Sequence, residues 1–90
     1  MFKVSILVSA NHAPGFYQFA THLAEKLSIF GQVKPENDGL FTLEAQGSSV
    51  QINDLISGFT HNEDGWSIVL YRLQSLEAPV FNSFKVYENA

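Results

Sequence analysis

Residues 11–31 read Asn11-His12-Ala13-Pro14-Gly15-Phe16-Tyr17-Gln18-Phe19-Ala20-Thr21-His22-Leu23-Ala24-Glu25-Lys26-Leu27-Ser28-Ile29-Phe30-Gly31. Phe16, Phe19, Ala20, Leu23, Leu27 and Phe30 recur at the spacings of one helix face. Gln18, His22, Glu25 and Lys26 fall mainly on the others. Pro14 and Gly15 disfavour helix before Phe16, and proline suits a first turn. Gly31 offers a residue able to take a positive φ past the end, so the spacing predicts a helix ending near Gly31. The polar loop in front of it, residues 11–15, sits where a helix's first N–H groups and the positive end of its dipole receive anions.

Upstream, Phe2, Val4, Ile6 and Val8 alternate with Lys3, Ser5 and Leu7, which predicts a strand with one buried face. Leu7 on its other face points to a central place in a sheet. Downstream, Gln32-Val33-Lys34 extends into Pro35, because the residue before proline avoids the helical region. Asn37-Asp38-Gly39 is a hairpin signal, and Phe41, Leu43 and Ala45 form the return strand, closed by Gly47. Ser48 or Ser49 caps a second helix with an apolar face of Val50, Ile52, Leu55, Ile56 and Phe59. Trp66 to Leu73 reads as a strand partly buried on both faces, and Phe81, Phe84 and Val86 as a last short edge strand after the break at Ala78-Pro79. The fold class is therefore α+β: a ferredoxin-like (split βαβ) antiparallel sheet with two helices on one face, plus a short fifth strand.

Composition narrows the function classes. Ninety residues, 46% of them hydrophobic, make one small domain, residues 1–90, with a single core. The absence of cysteine removes disulfides, thiolate metal sites and a cysteine nucleophile. Nine acidic residues against five cations give a net charge of −4. The cations, Lys3, Lys26, Lys34, Arg72 and Lys85, are scattered along the chain, so no nucleic-acid surface is expected. No apolar run reaches the length of a membrane span and no signal peptide is visible, so the expectation is a cytoplasmic protein without a membrane partner.

The pattern resembles the acylphosphatase family. Gly15-Phe16, Gly31-Gln32-Val33, Asp38-Gly39, Glu44-Ala45-Gln46-Gly47 and Phe84-Lys85-Val86-Tyr87 carry the resemblance across nearly the whole chain. It implies an anion-binding loop at Asn11, His12, Ala13, Gly15, Phe16 and Tyr17. It also implies that the family's phosphate-binding Arg falls on Tyr17 and its water-orienting Asn on Pro35. Residues 4–25 contain no Lys or Arg, and Pro14 has no N–H to donate. The expectation is a degenerate, non-catalytic member that binds a small ligand or a protein partner, with no cofactor and no metal. An active acylphosphatase in which Asn37 or Arg72 compensates is the first alternative. Asn11, Pro14 and Gly15 are also similar to the ACT domains, which makes an amino-acid-binding regulatory module the second.

The other candidates divide between chemistry and ordinary structure. His12 beside the helix start reads either as a proton donor and acceptor or as an exposed loop histidine. His22 reads as solvated. His61 with Glu63 and Asp64 reads as a solvated connection rather than a metal cluster. Ser9, Ser48 and Ser49 lack a base and an orienting partner. Tyr17 and Trp66 read as core or rim aromatics, Tyr17 as filling the emptied phosphate pocket.

Overall fold

A computed structural model describes residues 1–11, 13–37, 39–61 and 66–87, Ala13 by its backbone alone. His12, Asp38, Glu63 and Asp64 thus lie outside the described residues, as does the side chain of Ala13. The elements are β1 (Phe2–Ser9), α1 (Ala13–Leu27), β2 (Phe30–Pro35), β3 (Leu40–Gly47), α2 (Ser49–Thr60), β4 (Ser67–Ser75) and β5 (Phe84–Val86).

The strands make one sheet in the order β4-β1-β3-β2-β5. The first four are antiparallel, as the ferredoxin-like reading requires. β5 lies parallel to β2, which makes the sheet mixed. A hairpin cannot deliver a parallel strand. The chain reaches β5 instead by crossing from one sheet edge to the other over residues 76–83. Gln46 holds that crossing: its amide donates to Phe81 O at 2.7 Å, and its Oε1 accepts from the N–H groups of Val80 and Phe81 at 2.8 Å each.

Alternation decides the two faces. Val4, Ile6 and Val8 of β1, Phe41, Leu43 and Ala45 of β3 and Val33 of β2 are buried against Phe16, Ala20, Ile52, Leu55 and Phe59 of the helices. The intervening side chains form an open face, where Lys3 and Glu44 pair at 3.0 Å. β1 is central, between β3 and β4.

Four expectations need correction. Helix α1 stops at Leu27, not near Gly31. Ser28 takes the left-handed turn at φ 57, while Ser28 N–H donates to Glu25 O and Ile29 N–H to Ala24 O, the paired bonds of a Schellman end. Phe30 therefore belongs to β2 and is exposed, and Gly31 serves close packing instead: a Cβ there would run into the carbonyl of Glu44. Val50 is exposed, because it lies about 200° around α2 from Ile52 and off the stripe of Ile52, Leu55, Ile56 and Phe59. Finally, β4 is an edge strand whose Val69, Leu70, Tyr71 and Leu73 are all more than half exposed, so its apolar run is not a sign of burial.

Ser48 does cap α2, in a capping box with Gln51. The Gln51 amide also donates to Leu27 O at 2.9 Å, so one side chain joins the end of α1 to the start of α2. No described helix is long and apolar enough to cross a membrane.

Candidate functional site

Ala10, Asn11 and the start of α1 emerge at one end of the sheet, after Ser9, which pairs with Leu40 and with Ser67. The loop is tied to the neighbouring turn: Ala10 N–H donates to Gly39 O at 2.8 Å, and Leu40 N–H to Asn37 O at 2.8 Å. Gly39 stands at φ 80, a conformation that side chains of other residues rarely take, which explains glycine there. α1 begins at Ala13 with Pro14 in its first turn and no acidic residue there, so the positive end of the helix is not neutralised by its own sequence.

Beneath the loop lies an aromatic floor. Phe16 is fully buried, with ring centroids 4.8 Å from Phe41, 5.5 Å from Trp66 in an edge-to-face contact and 5.7 Å from Phe59. Tyr17 is half-buried and meets Phe41 edge-on at 5.5 Å. These pairs hold the first turn of α1 rigidly on the sheet. Phe41 in turn pairs with Pro35 at the end of β2. Asn11, Gly15, Phe16, Tyr17, Pro35 and Asn37 therefore gather at this end.

Arg72 does not join them. It sits opposite Ser5 on β1, four residues before Ser9, or about 13 Å along the strand. There it lines the open face with Lys3 and Glu44. Among the described residues no group of His, Asp or Glu converges as a metal site. His61 caps the end of α2, with Nδ1 3.1 Å from Ser57 O, and His22 is exposed. Gln46 and Gln51, which position the crossing segment and the two helices, were not singled out in the sequence. Gln51 had a readable signal, the Ser-X-X-Gln spacing of a capping box. Gln46 had none, because its partners lie 34 and 35 residues away.

Two helices on one face of a five-stranded sheet, with the fifth strand parallel to β2, define a ferredoxin-type α+β domain of the acylphosphatase kind. The acylphosphatase family model matches residues 12–86, and the chain belongs to that family. The match carries the acylphosphatase resemblance rather than the ACT-like one. Among solved structures, acylphosphatase from Bacillus subtilis is similar over 98% of this chain and 100% of its own, with a TM-score of 0.79 at 19% identity. An acylphosphatase from Coxiella burnetii is similar over 94% and 90%, with a TM-score of 0.73 at 20% identity. Full-length HypF, solved in a phosphate- and nucleotide-bound form, is similar at 0.73 and 20% identity; this chain covers 12% of it. At these identities the likenesses speak for the fold. No curated protein sequence matches the chain.

Proposed function

We propose that this domain keeps the family's anion-receiving loop but does not hydrolyse acyl phosphates, and instead holds a small anionic ligand or a partner group at Asn11–Tyr17. The observation that supports this is the pair of side chains at the two positions where the family pattern has an Arg and an Asn. Tyr17 sets its ring edge-on to Phe41, and Pro35 is fixed in β2 opposite the same residue. Neither supplies a cation or an amide. A charge-assisted hydrogen bond contributes about 1.5–3 kcal/mol. Loss of one preorganised donor to developing charge costs about a hundred- to a thousand-fold in rate. Losing both leaves dipole and backbone N–H groups, which bind an anion better than they activate water.

The test is an acyl phosphate hydrolysis assay alongside phosphate titration of the loop amides by NMR. The wild type is expected to show no turnover above background. Tyr17→Arg with Pro35→Asn is expected to bind phosphate more tightly, because arginine brings a planar fork suited to phosphate. Turnover by the wild type overturns the reading.

A second reading, a hydrolase with substituted residues, draws on Asn37, whose turn is hydrogen-bonded to the loop through Ala10 and Gly39. Under it, Asn37→Ala abolishes a wild-type activity that the first reading says is absent.

A further inference from the structure

The outer edge of β4 is unlike the rest of the sheet boundary. It is nine residues long, and among the described residues no strand pairs with it beyond β1. Its backbone N–H and C=O groups on that side form a row ready to pair with another chain. Edge strands are ordinarily blunted by charge, proline, β-bulges or shortness. This one has a register shift near its start, where Leu70 faces Leu7 but Ile68 faces Val8; from Leu70 to Ser75 it pairs regularly, with a single charge, Arg72, no proline, and exposed Leu70, Tyr71 and Leu73.

The side chains divide cleanly. Tyr71 and Leu73 stand opposite Ile6 and Val4, on the helix side of the sheet. Leu70, Arg72 and Gln74 stand on the open face, opposite Leu7, Ser5 and Lys3. The Arg72 side chain makes no hydrogen bond or ion pair among the described residues. It rims a shallow hollow of about 400 Å³ with Lys3, Ser5, Leu7, Thr42 and Glu44. Four of the chain's five cations share the open face: Arg72 and Lys3 on the neighbouring strands β4 and β1, Lys34 and Lys85 across the sheet on β2 and β5; Glu44 is the one acidic residue in the five strands.

We infer that the edge of β4 receives an extended peptide from a partner protein, as a sixth strand, whose side chains alternate apolar and acidic. The apolar side chains lie beside Tyr71 and Leu73; the acidic ones lie on the open face against Arg72, within reach of the field of Lys3. Backbone pairing supplies the bulk of the attachment and the alternation supplies the specificity. A second copy of this chain fits less well. A two-fold pairing centred on Tyr71 puts both Arg72 side chains on one face at a diagonal of about 7–8 Å, with like charges opposed. A single-stranded nucleic acid fits less well too, because the residues lining the hollow offer no ring on which a base could stack.

The test uses the full chain and a fluorescently labelled peptide of alternating Val and Glu, about as long as an ordinary strand. Its anisotropy is read beside a Val–Lys peptide and an oligothymidine of similar length. The Val–Glu peptide is expected to bind and to shift the amides of residues 67–75 in NMR spectra. Arg72→Gln should weaken it about tenfold, and Arg72→Glu should weaken it further while admitting the Val–Lys peptide. Lys26→Glu, on α1, carries the same change of net charge as Arg72→Glu and should leave binding unchanged. No binding of the Val–Glu peptide overturns the inference. So does equal weakening by Lys26→Glu, a response confined to other strands, tighter binding of oligothymidine at the same residues, or a sedimenting dimer that protects the β4 amides without peptide.

Discussion

The two faces of one sheet have been built by different rules. The covered face is apolar, sealed by α1 and α2, and floored with Phe16, Phe41, Phe59 and Trp66. The open face holds Lys3, Lys34, Arg72 and Lys85 in a chain of net charge −4. Both faces come from the same strands, since successive residues point to opposite sides. Alternation is local, so it can be read from the sequence. Which distant charges share a face depends on strand order and register, and the scattered cations come to one side only when all five strands are assembled in the order β4-β1-β3-β2-β5.

The largest expected effect tests the covered face. Leu55 is fully buried and its neighbour Ile56 only partly so. Leu55→Ala should cost about 2–5 kcal/mol, enough to threaten folding in a domain of this size. Ile56→Ala should cost clearly less. Thermal or denaturant unfolding of the two variants decides it, and equal losses would show that the helix face has been placed wrongly. By the same burial, Leu23→Ala belongs with Ile56→Ala: Leu23 is partly exposed although it lies mid-stripe in the sequence.

A middle-sized effect probes the strap that joins the two sheet edges. Gln46 is buried, and its side chain satisfies two N–H groups and one carbonyl of Val80 and Phe81. Gln46→Ala leaves those backbone groups without their partners, at about 1–3 kcal/mol. Hydrogen exchange should rise first over residues 80–86, including β5, and last in β1. A uniform rise across the sheet would mean that the strap does not act as a local unit.

The fold was legible because its signals are short-range. Val4-Ile6-Val8, Phe41-Leu43-Ala45 and the stripe Ile52-Leu55-Ile56-Phe59 each declare an element from within a few residues. The exceptions are places where a local pattern meets a tertiary fact. Phe30 continues the α1 stripe in register, yet Ser28 turns the chain out of helix before it is reached. The run of β4 looks like a buried strand, but a strand's place in the sheet is set by topology, and β4 falls at an edge. Around the candidate site the sequence marks the turn into α1 but places the helix start too late: α1 begins at Ala13 and takes Pro14 and Gly15 into its first turn, where proline needs no N–H partner. Phe41 shows why Tyr17 is held where it is. The notion that Arg72 stands in for a missing cation could only be settled by register, which places it with Ser5 and away from the loop.

The smallest expected effect concerns Glu44, the one carboxylate carried by the five strands. Burial raises the pKa of Glu44, but the hydrogen bonds from Lys3 and Gln32 and the charges of Lys3 and Lys34 outweigh it, so the net shift is downward. Gln32 Nε2 donates to Oε1 at 2.7 Å while Lys3 Nζ sits 3.0 Å from Oε2. A carboxylate whose pKa is lower in the folded than in the unfolded chain stabilises the fold at pH values above its unfolded pKa. That contribution is lost as pH falls through the lowered, folded value. The pair is partly exposed, so its contribution is at most about 1 kcal/mol. In a domain of this length that amounts to about 4–8 °C in Tm. Wild type and Glu44→Gln should therefore differ by no more than this near neutral pH, and the difference should close in acid, below the ordinary carboxylate range. Salt should shrink it as well, since the pair faces solvent. A difference that persists unchanged in acid would mean that the Gln32 bond and packing, rather than charge, hold Glu44 in place. The open face would then owe its order to hydrogen bonding, as the covered face owes its order to packing, and the electrostatic contrast between the two faces would be lost at this residue.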